Sequence, residues 1–384
     1  MANKQYAYIN HEMLKWAREE TPLELNSICT RIKDITEEEI IKWESGEEFP
    51  SITNAKKLAN LYDIPFAALY LTEVPPSSKI EYVDRRSLST SHLEGISYEL
   101  WKEIRYFKSC RESMLSMIDN EYDAASIPRF EKNDDFEKMI EKIREYFEIE
   151  TPLKNKTAFG NNVFSYFRRK IERKGILVFQ ISGMEVSQIR GISLNYEIFP
   201  IIAVNKKDSE RAKVFTMFHE LAHLIRRTSA LCSVDLSETN DSEEKKCDKI
   251  AGNILVPKDK IESLKSDNID NDKIENLANR FGVSTFVILK RLYDMGKISN
   301  SFYKSKYEEL YSNFMENKEN IEKRKKNSEV RIPHHTKFLS TNGNLFPSIV
   351  INAYYEGRIS LGEVCKTLNL KTKHIDMIER VVML

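Results

Sequence analysis

The feature that most constrains the fold is the run His219-Glu220-Leu221-Ala222-His223, which lies inside an apolar stretch from Val214 to Ile225. On a helix, residues four apart lie on the same face, so both imidazoles can point at one metal ion. Glu220 lies about 100° round the axis, where its carboxylate can reach a water molecule. The pattern therefore predicts a helix that carries the front half of a metal site.

The apolar surroundings strengthen this prediction. Nearly every other residue between Val214 and Ile225 is apolar, which is typical of a helix in a protein core. Two imidazoles and a carboxylate are costly in such a place unless they have partners, and a metal ion would provide one. The alternative is a chance match, which we estimate at about one in a hundred for a chain of this composition.

A catalytic zinc site needs a third protein ligand and leaves its fourth position to water. The segment from Glu243 to Val256 has helical periodicity and ends before Pro257. Glu244 and Asp248 share one face of this predicted helix. We predict that Glu244 is the third ligand and that Asp248 accepts the other ring N–H of a ligating histidine.

Other interpretations of this segment stay open. Glu243 is the second choice for the third ligand. The acidic pair could instead be a solvated helix start, since the helix dipole favours Glu243 and Glu244 there. Cys247 is interpreted as a small packed side chain.

Three segments together resemble the ImmA/IrrE family of metallopeptidases: residues 200–205, 215–224 and 244–257. Members carry a His-Glu-x-x-His helix and a second helix of the form Glu-x-x-Ala-Asn-x-Phe-Ala that ends in Leu-Met-Pro. This chain has Cys247, Asp248, Ile250 and Val256 at the Ala, Asn, Phe and Met positions. The departures leave the three predicted ligands in place.

The resemblance implies a metal-dependent endopeptidase. The ligands would be His219, His223 and Glu244, and Glu220 would be the catalytic residue that takes a proton from water. Two imidazoles and one carboxylate suit zinc best, with manganese possible on chemical grounds. The implied fold is α+β and mostly α, with a helical helix-turn-helix-like domain, a zincin-like metallopeptidase domain with a small sheet, and a helical C-terminal region.

Residues 1–75 are predicted to form a small helical domain. Its five short helices include one that starts with a capping box at Thr36 and Glu39. Residues 43–50 and 58–62 resemble the XRE/Cro-type helix-turn-helix, which precedes the peptidase in long ImmA/IrrE proteins.

The charge of this domain counts against DNA binding. Residues 1–75 hold eight Lys or Arg against thirteen Asp or Glu, and the expected recognition helix opens with Glu37-Glu38-Glu39. Phosphate contacts need basic side chains. The turn before that helix, at Lys33-Asp34, is also one residue longer than usual. Both DNA binding and a structural or partner-binding role stay open, and the charge favours the second.

The rest of the chain divides by periodicity. Residues 76–150 are predicted to be a helical linker, and residues 151–260 the peptidase domain, with strands near 175–180, 189–194 and 199–204. Residues 261–384 are predicted to be helical, with a second helix-turn-helix-like segment around 277–284. Residues 258–384 carry 22 basic against 17 acidic side chains. Charge therefore favours this region over the first for any DNA contact, although a helical cap is the preferred interpretation.

Composition gives the expected compartment and partners. The formal net charge is zero, and the five cysteines include no Cys-x-x-Cys pair. No apolar run is long enough to span a membrane and no signal peptide is recognisable, so we expect a cytoplasmic protein without a membrane partner. The predicted function is a regulatory endopeptidase that makes limited cuts in a partner protein, a repressor or antitoxin-like regulator. The alternative is a non-catalytic DNA- or protein-binding regulator or antitoxin of a toxin or phage-defence module.

Overall fold

The computed structural model describes residues 5–76, 96–118, 127–130, 135–150, 159, 162–227, 230–232, 242–262, 264, 269–325 and 332–383. The chain forms two compact units, Met1–Tyr106 and Phe107–Leu384. Helices predominate in the described residues, which contain one small sheet, so the predicted α+β, mostly α class is confirmed. Among these residues, no helix combines the length and the hydropathy needed to span a bilayer.

The first unit is helical, and its helices lie where the sequence predicts them. Asn10 caps the first helix through the backbone N–H of Glu12. The predicted capping box is present, since Thr36 and Glu39 each accept the other's backbone N–H. The elements are α1 (His11–Glu19), α2 (Leu25–Arg31), α3 (Glu37–Ser45), α4 (Ile52–Leu61), a 3-10 helix (Phe66–Tyr70) and α5 (Tyr98–Leu115), which contains the boundary between the units.

The second unit is built on a sheet of four strands, in the order β1-β3-β2-β4. Here β1 and β3 are parallel, and β2 is antiparallel to both of its neighbours. The first three strands were predicted and are buried along their whole length, because helices cover both faces. The short fourth strand was not predicted. The strands are β1 (Leu177–Ile181), β2 (Gly191–Leu194), β3 (Ile201–Asn205) and β4 (Ala230–Cys232).

Helices of this unit pack on the sheet, and those between residues 139 and 292 share one hydrophobic core with it. Of the predicted linker 76–150, residues 77–95, 119–126 and 131–134 lie outside the described residues, and the remainder includes α5 and a helix at Phe136–Tyr146. The helices are α6 (Phe136–Tyr146), α7 (Val163–Glu172), α8 (Glu210–Ile225), α9 (Ser242–Leu255), α10 (Lys258–Glu262), α11 (Asn271–Phe281), α12 (Thr285–Asp294), α13 (Asn300–Lys325), α14 (His334–Asn342), α15 (Leu345–Tyr355), α16 (Leu361–Thr367) and α17 (Thr372–Val382).

The pair α11 and α12 is the predicted second helix-turn-helix-like segment. Gly282 joins the two helices with a φ of 68°, in the left-handed region that favours glycine. Five of the ten residues of α12 are buried, and only Lys290 and Asp294 of the ten are exposed. A recognition helix must present several side chains to a DNA groove, so this packing favours the interpretation as a helical cap on the second unit.

Two glycines give a matched test of this packing. Both Gly282 and Gly296 have positive φ, but a Cβ at Gly282 would lie 2.5 Å from a methyl of Val163, whereas a Cβ at Gly296 meets no heavy atom within 4 Å. Both alanine variants should lose about 1–2 kcal/mol of unfolding free energy from backbone strain. Gly282→Ala should lose about 1–3 kcal/mol more from overpacking. Urea unfolding of both variants measures this, and equal losses would contradict it.

Candidate metal centre

The helix α8 follows a turn that hydrogen bonds of Asn205 hold in place, and it packs against the sheet. Asn205 ends β3, and its side chain donates to the carbonyl of Ile189 at 2.9 Å and accepts the backbone N–H of Lys207 at 2.9 Å. Ser209 then caps α8. In the helix that starts at this cap, Glu220 and His223 are completely buried and His219 is only 7% exposed. This burial agrees with the prediction of a core helix.

Side chains of α8 and α9 meet at one point. His219 Nε2 lies 3.0 Å from Glu244 Oε2 and 3.1 Å from His223 Nε2. His223 Nε2 lies 3.3 Å from the other carboxylate oxygen of Glu244. Ligands about 2.0–2.1 Å from a tetrahedral zinc ion are about 3.3 Å apart. The three side chains predicted as ligands therefore have nearly the separation that one such ion requires.

The chemistry of the donors also fits a cation. His219 Nδ1 lies 2.8 Å from Asp248 Oδ1, and a neutral ring that donates from Nδ1 leaves Nε2 with a lone pair. That lone pair faces a carboxylate oxygen and a second imidazole nitrogen. Three acceptors this close repel one another unless a proton or a metal cation lies among them.

Each histidine has a further partner on α9. Asp248 is the partner of His219, as the sequence predicts for a carboxylate that orients a ligand. Cys247 Sγ lies 3.4 Å from His223 Nδ1. Burial raises the pKa of the Cys247 thiol to about 12, so it stays protonated at neutral pH. Cys247 was predicted only to pack, and its contact with His223 was missed.

The two adjacent glutamates have different surroundings. Burial raises the pKa of the Glu244 carboxyl, but the contacts with His219 and His223 outweigh burial and hold that pKa well below its ordinary value. Glu244 is therefore a carboxylate at neutral pH. Glu243, the second choice for a ligand, forms a bidentate ion pair with Arg226 at the end of α8.

A glycine in β2 makes room for Glu220. A Cβ added to Gly191 would lie 2.8 Å from Glu220 Oε1 and 2.6 Å from a methyl of Thr216. Only glycine lets the strand and the helix approach this closely. This role of Gly191 was not predicted, although a glycine inside a strand pattern is a signal for close approach of two elements.

Two arginines, the half-buried Arg144 and the buried Arg291, hold the far end of α9. Arg144, from α6, donates to the carbonyls of Ile254 and Ile149. Arg291, from α12, donates to the carbonyl of Val256 at 3.1 Å and to the side chain of Asn253 at 2.8 Å. Cations at a helix C-terminus satisfy its last carbonyls and interact favourably with the dipole. They fix the helix that carries Glu244 and Asp248.

Residues 171–293 match the IrrE N-terminal-like domain of the peptidase M78 family. Searches against curated proteins and against solved structures gave no match. The M78-like segment covers about a third of the chain and contains α8, α9 and all five predicted site residues. The match supports the resemblance to the ImmA/IrrE family and to metallopeptidases. It does not extend to the first unit, where the XRE-type assignment stays a prediction.

The M78-like segment also includes α11 and α12. Arg291 of α12 donates to α9, and α11 packs in the same hydrophobic core as α8. The second helix-turn-helix-like pair therefore contributes to the core around the candidate metal centre.

The contact between Asp248 and His219 gives a quantitative prediction. Asp248→Asn removes a charged partner of the imidazole but keeps a side chain of the same size, so zinc affinity should fall about 10–100-fold. Competition with a chromophoric chelator measures this affinity. Asp272→Asn, at an exposed position in α11, is the control and should not change it. Unchanged affinity in Asp248→Asn would show that this carboxylate does not orient a ligand.

Proposed function

We propose that this chain is a metal-dependent endopeptidase in which His219, His223 and Glu244 hold the metal ion and Glu220 moves protons. The observation that carries the proposal is a set of three donor atoms, on two buried histidines and the half-buried Glu244, all within 4.8 Å of one another. The M78 match supports a peptidase rather than another metal-dependent activity. The donor set favours zinc, with manganese as the second choice.

The roles of the residues follow from their chemistry. When bound, a zinc ion supplies Lewis acidity, lowering the pKa of a water molecule towards about 7 and polarising a peptide carbonyl. The carboxylate of Glu220 then takes the proton of the attacking water and passes it to the departing amine. Asp248 and Cys247 contact the outer nitrogens of the two imidazoles, which would keep both Nε2 atoms available to hold the ion.

The sheet offers a place for an extended substrate. β4 is the last strand of the sheet among the described residues and pairs with β2, where Gly191 lies opposite Cys232. Gly191 is the residue that packs against Glu220. We propose that a substrate segment adds to the sheet along β4, next to the strand that contacts Glu220.

The proposed substrate is a protein regulator. The resemblance to ImmA/IrrE proteins implies limited cleavage of a repressor or antitoxin-like partner. The acidic domain at residues 1–75 would be a second module for binding that partner. The alternative is a regulator that holds the same site without cleaving anything. The two functions differ in whether Glu220 is needed.

The variant Glu220→Gln tests the proposal. It keeps the three metal ligands but removes the basic carboxylate, so metal content should persist and cleavage should fall by about 100-fold or more. The assay is cleavage of repressors and antitoxins encoded next to this gene, followed by intact mass spectrometry. Glu275→Gln, at an exposed position in α11, should behave like the unmodified protein. Cleavage that persists in Glu220→Gln would refute the catalytic role.

A further inference from the structure

The first unit exposes a group of aromatic side chains on a fixed backbone. Residues 5–10 lie along the unit, where Ala7 N–H donates to Pro50 O at 2.8 Å and Ile52 N–H donates to Gln5 O at 3.0 Å. Ala7 and Ile9 are buried. Because side chains of an extended segment alternate between faces, Tyr6 and Tyr8 point outward and are 50% and 73% exposed.

Phe49 extends this group. It is 38% exposed, and its ring packs edge-to-face on Tyr8 with the centroids 5.0 Å apart. We call Tyr6, Tyr8 and Phe49 the aromatic patch. Single exposed aromatic residues are common, but neighbouring ones held on an ordered backbone mark interaction surfaces. The aromatic patch is therefore a candidate surface for binding a partner.

The acidic side chains next to the aromatic patch indicate the charge of its binding partner. Glu47 and Glu48 immediately precede Phe49. Glu48 pairs with Lys42 at 3.0 Å, whereas Glu47 forms no ion pair within the described residues. Residues 1–75 carry an excess of five acidic side chains. Such a surface repels phosphates and attracts Lys and Arg side chains.

Within the first unit, one arginine already contacts both an aromatic ring and a carboxylate. The guanidinium of Arg31 lies 4.5 Å from the ring centroid of Tyr98, and it also donates to Glu99 at 2.9 Å. An aromatic face and a carboxylate together are favourable for a guanidinium, which stacks through its plane and donates through its edge. Tyr8 and Phe49 provide aromatic rings, and Glu47, two residues before Phe49 in the chain, provides a carboxylate in the same surface segment.

We propose that the aromatic patch, with Glu47 and Glu48, binds an arginine-rich segment of a partner protein. The domain that resembles a DNA-binding fold then recruits a basic protein, and the aromatic rings select arginine over lysine. This inference concerns the first unit alone and stands whether or not the second unit cleaves peptides.

The test is fluorescence anisotropy of labelled oligo-arginine with the full-length protein. Binding should be tighter than that of oligo-lysine of the same length and should weaken as salt rises. Glu47→Lys and the double variant Tyr8→Ala/Phe49→Ala should each weaken it about tenfold or more. Urea unfolding of each variant establishes that it is folded, and Glu47→Lys tests the surface without removing any packed ring.

Glu24→Lys is the matched control, because it makes the same change of charge at an exposed position at the start of α2. It should change binding less than twofold. An equal loss in Glu24→Lys, or no preference for arginine, would show attraction by net charge alone and overturn the proposal. A labelled DNA duplex is tested in the same assay. If the protein binds the duplex and Tyr8→Ala/Phe49→Ala abolishes that binding, the patch is a nucleic-acid surface and the proposal is overturned.

Discussion

The repulsion among three acceptor atoms in a buried position is the constraint on which the second unit depends. His219 Nε2, His223 Nε2 and the carboxylate of Glu244 lie 3.0–3.3 Å apart. Lone pairs at that distance, away from water, repel one another unless a proton or a metal cation lies among them. The surrounding hydrogen bonds keep the acceptors in place: Asp248 and Cys247 contact the outer ring nitrogens, so neither imidazole can turn away from the shared point. The geometry is pre-organised for a metal ion.

The fold holds the two helices that meet there at several points. α8 is fixed against the sheet, where Gly191 permits contact with Glu220. The start of α9 is tied to α8 by the ion pair between Arg226 and Glu243, and its end is held by Arg144 and Arg291. Acidic Glu243 near the helix start and arginines at its end also complement the helix dipole. The adjacent acidic residues Glu243 and Glu244, which the sequence alone could assign to a solvated helix start, therefore have different roles: Glu243 positions the helix and Glu244 faces the histidines.

Local signals made much of this predictable. Capping residues and periodicity placed the helices of the first unit, and the His-Glu-x-x-His spacing brought two imidazoles to one face of α8 because a helix has a fixed period. The contributions that were missed come from distant parts of the chain. β4 is only three residues long and exists through its pairing with β2. A glycine inside a strand pattern signals a close approach, but which element approaches Gly191 depends on tertiary packing. The contacts of Arg144 and Arg291 with the end of α9 also depend on tertiary packing, and no local pattern encodes them.

The measurement that tests the account most directly is the metal content of the purified protein by elemental mass spectrometry, with Glu244→Ala and Glu243→Ala compared side by side. The two glutamates are adjacent, but one faces the histidines and the other faces Arg226. The account predicts one equivalent of zinc or manganese, retained in Glu243→Ala and lost in Glu244→Ala and His219→Ala. Purified protein without metal, or metal content that Glu244→Ala does not change, would contradict this prediction. The three acceptors would then be sharing a proton.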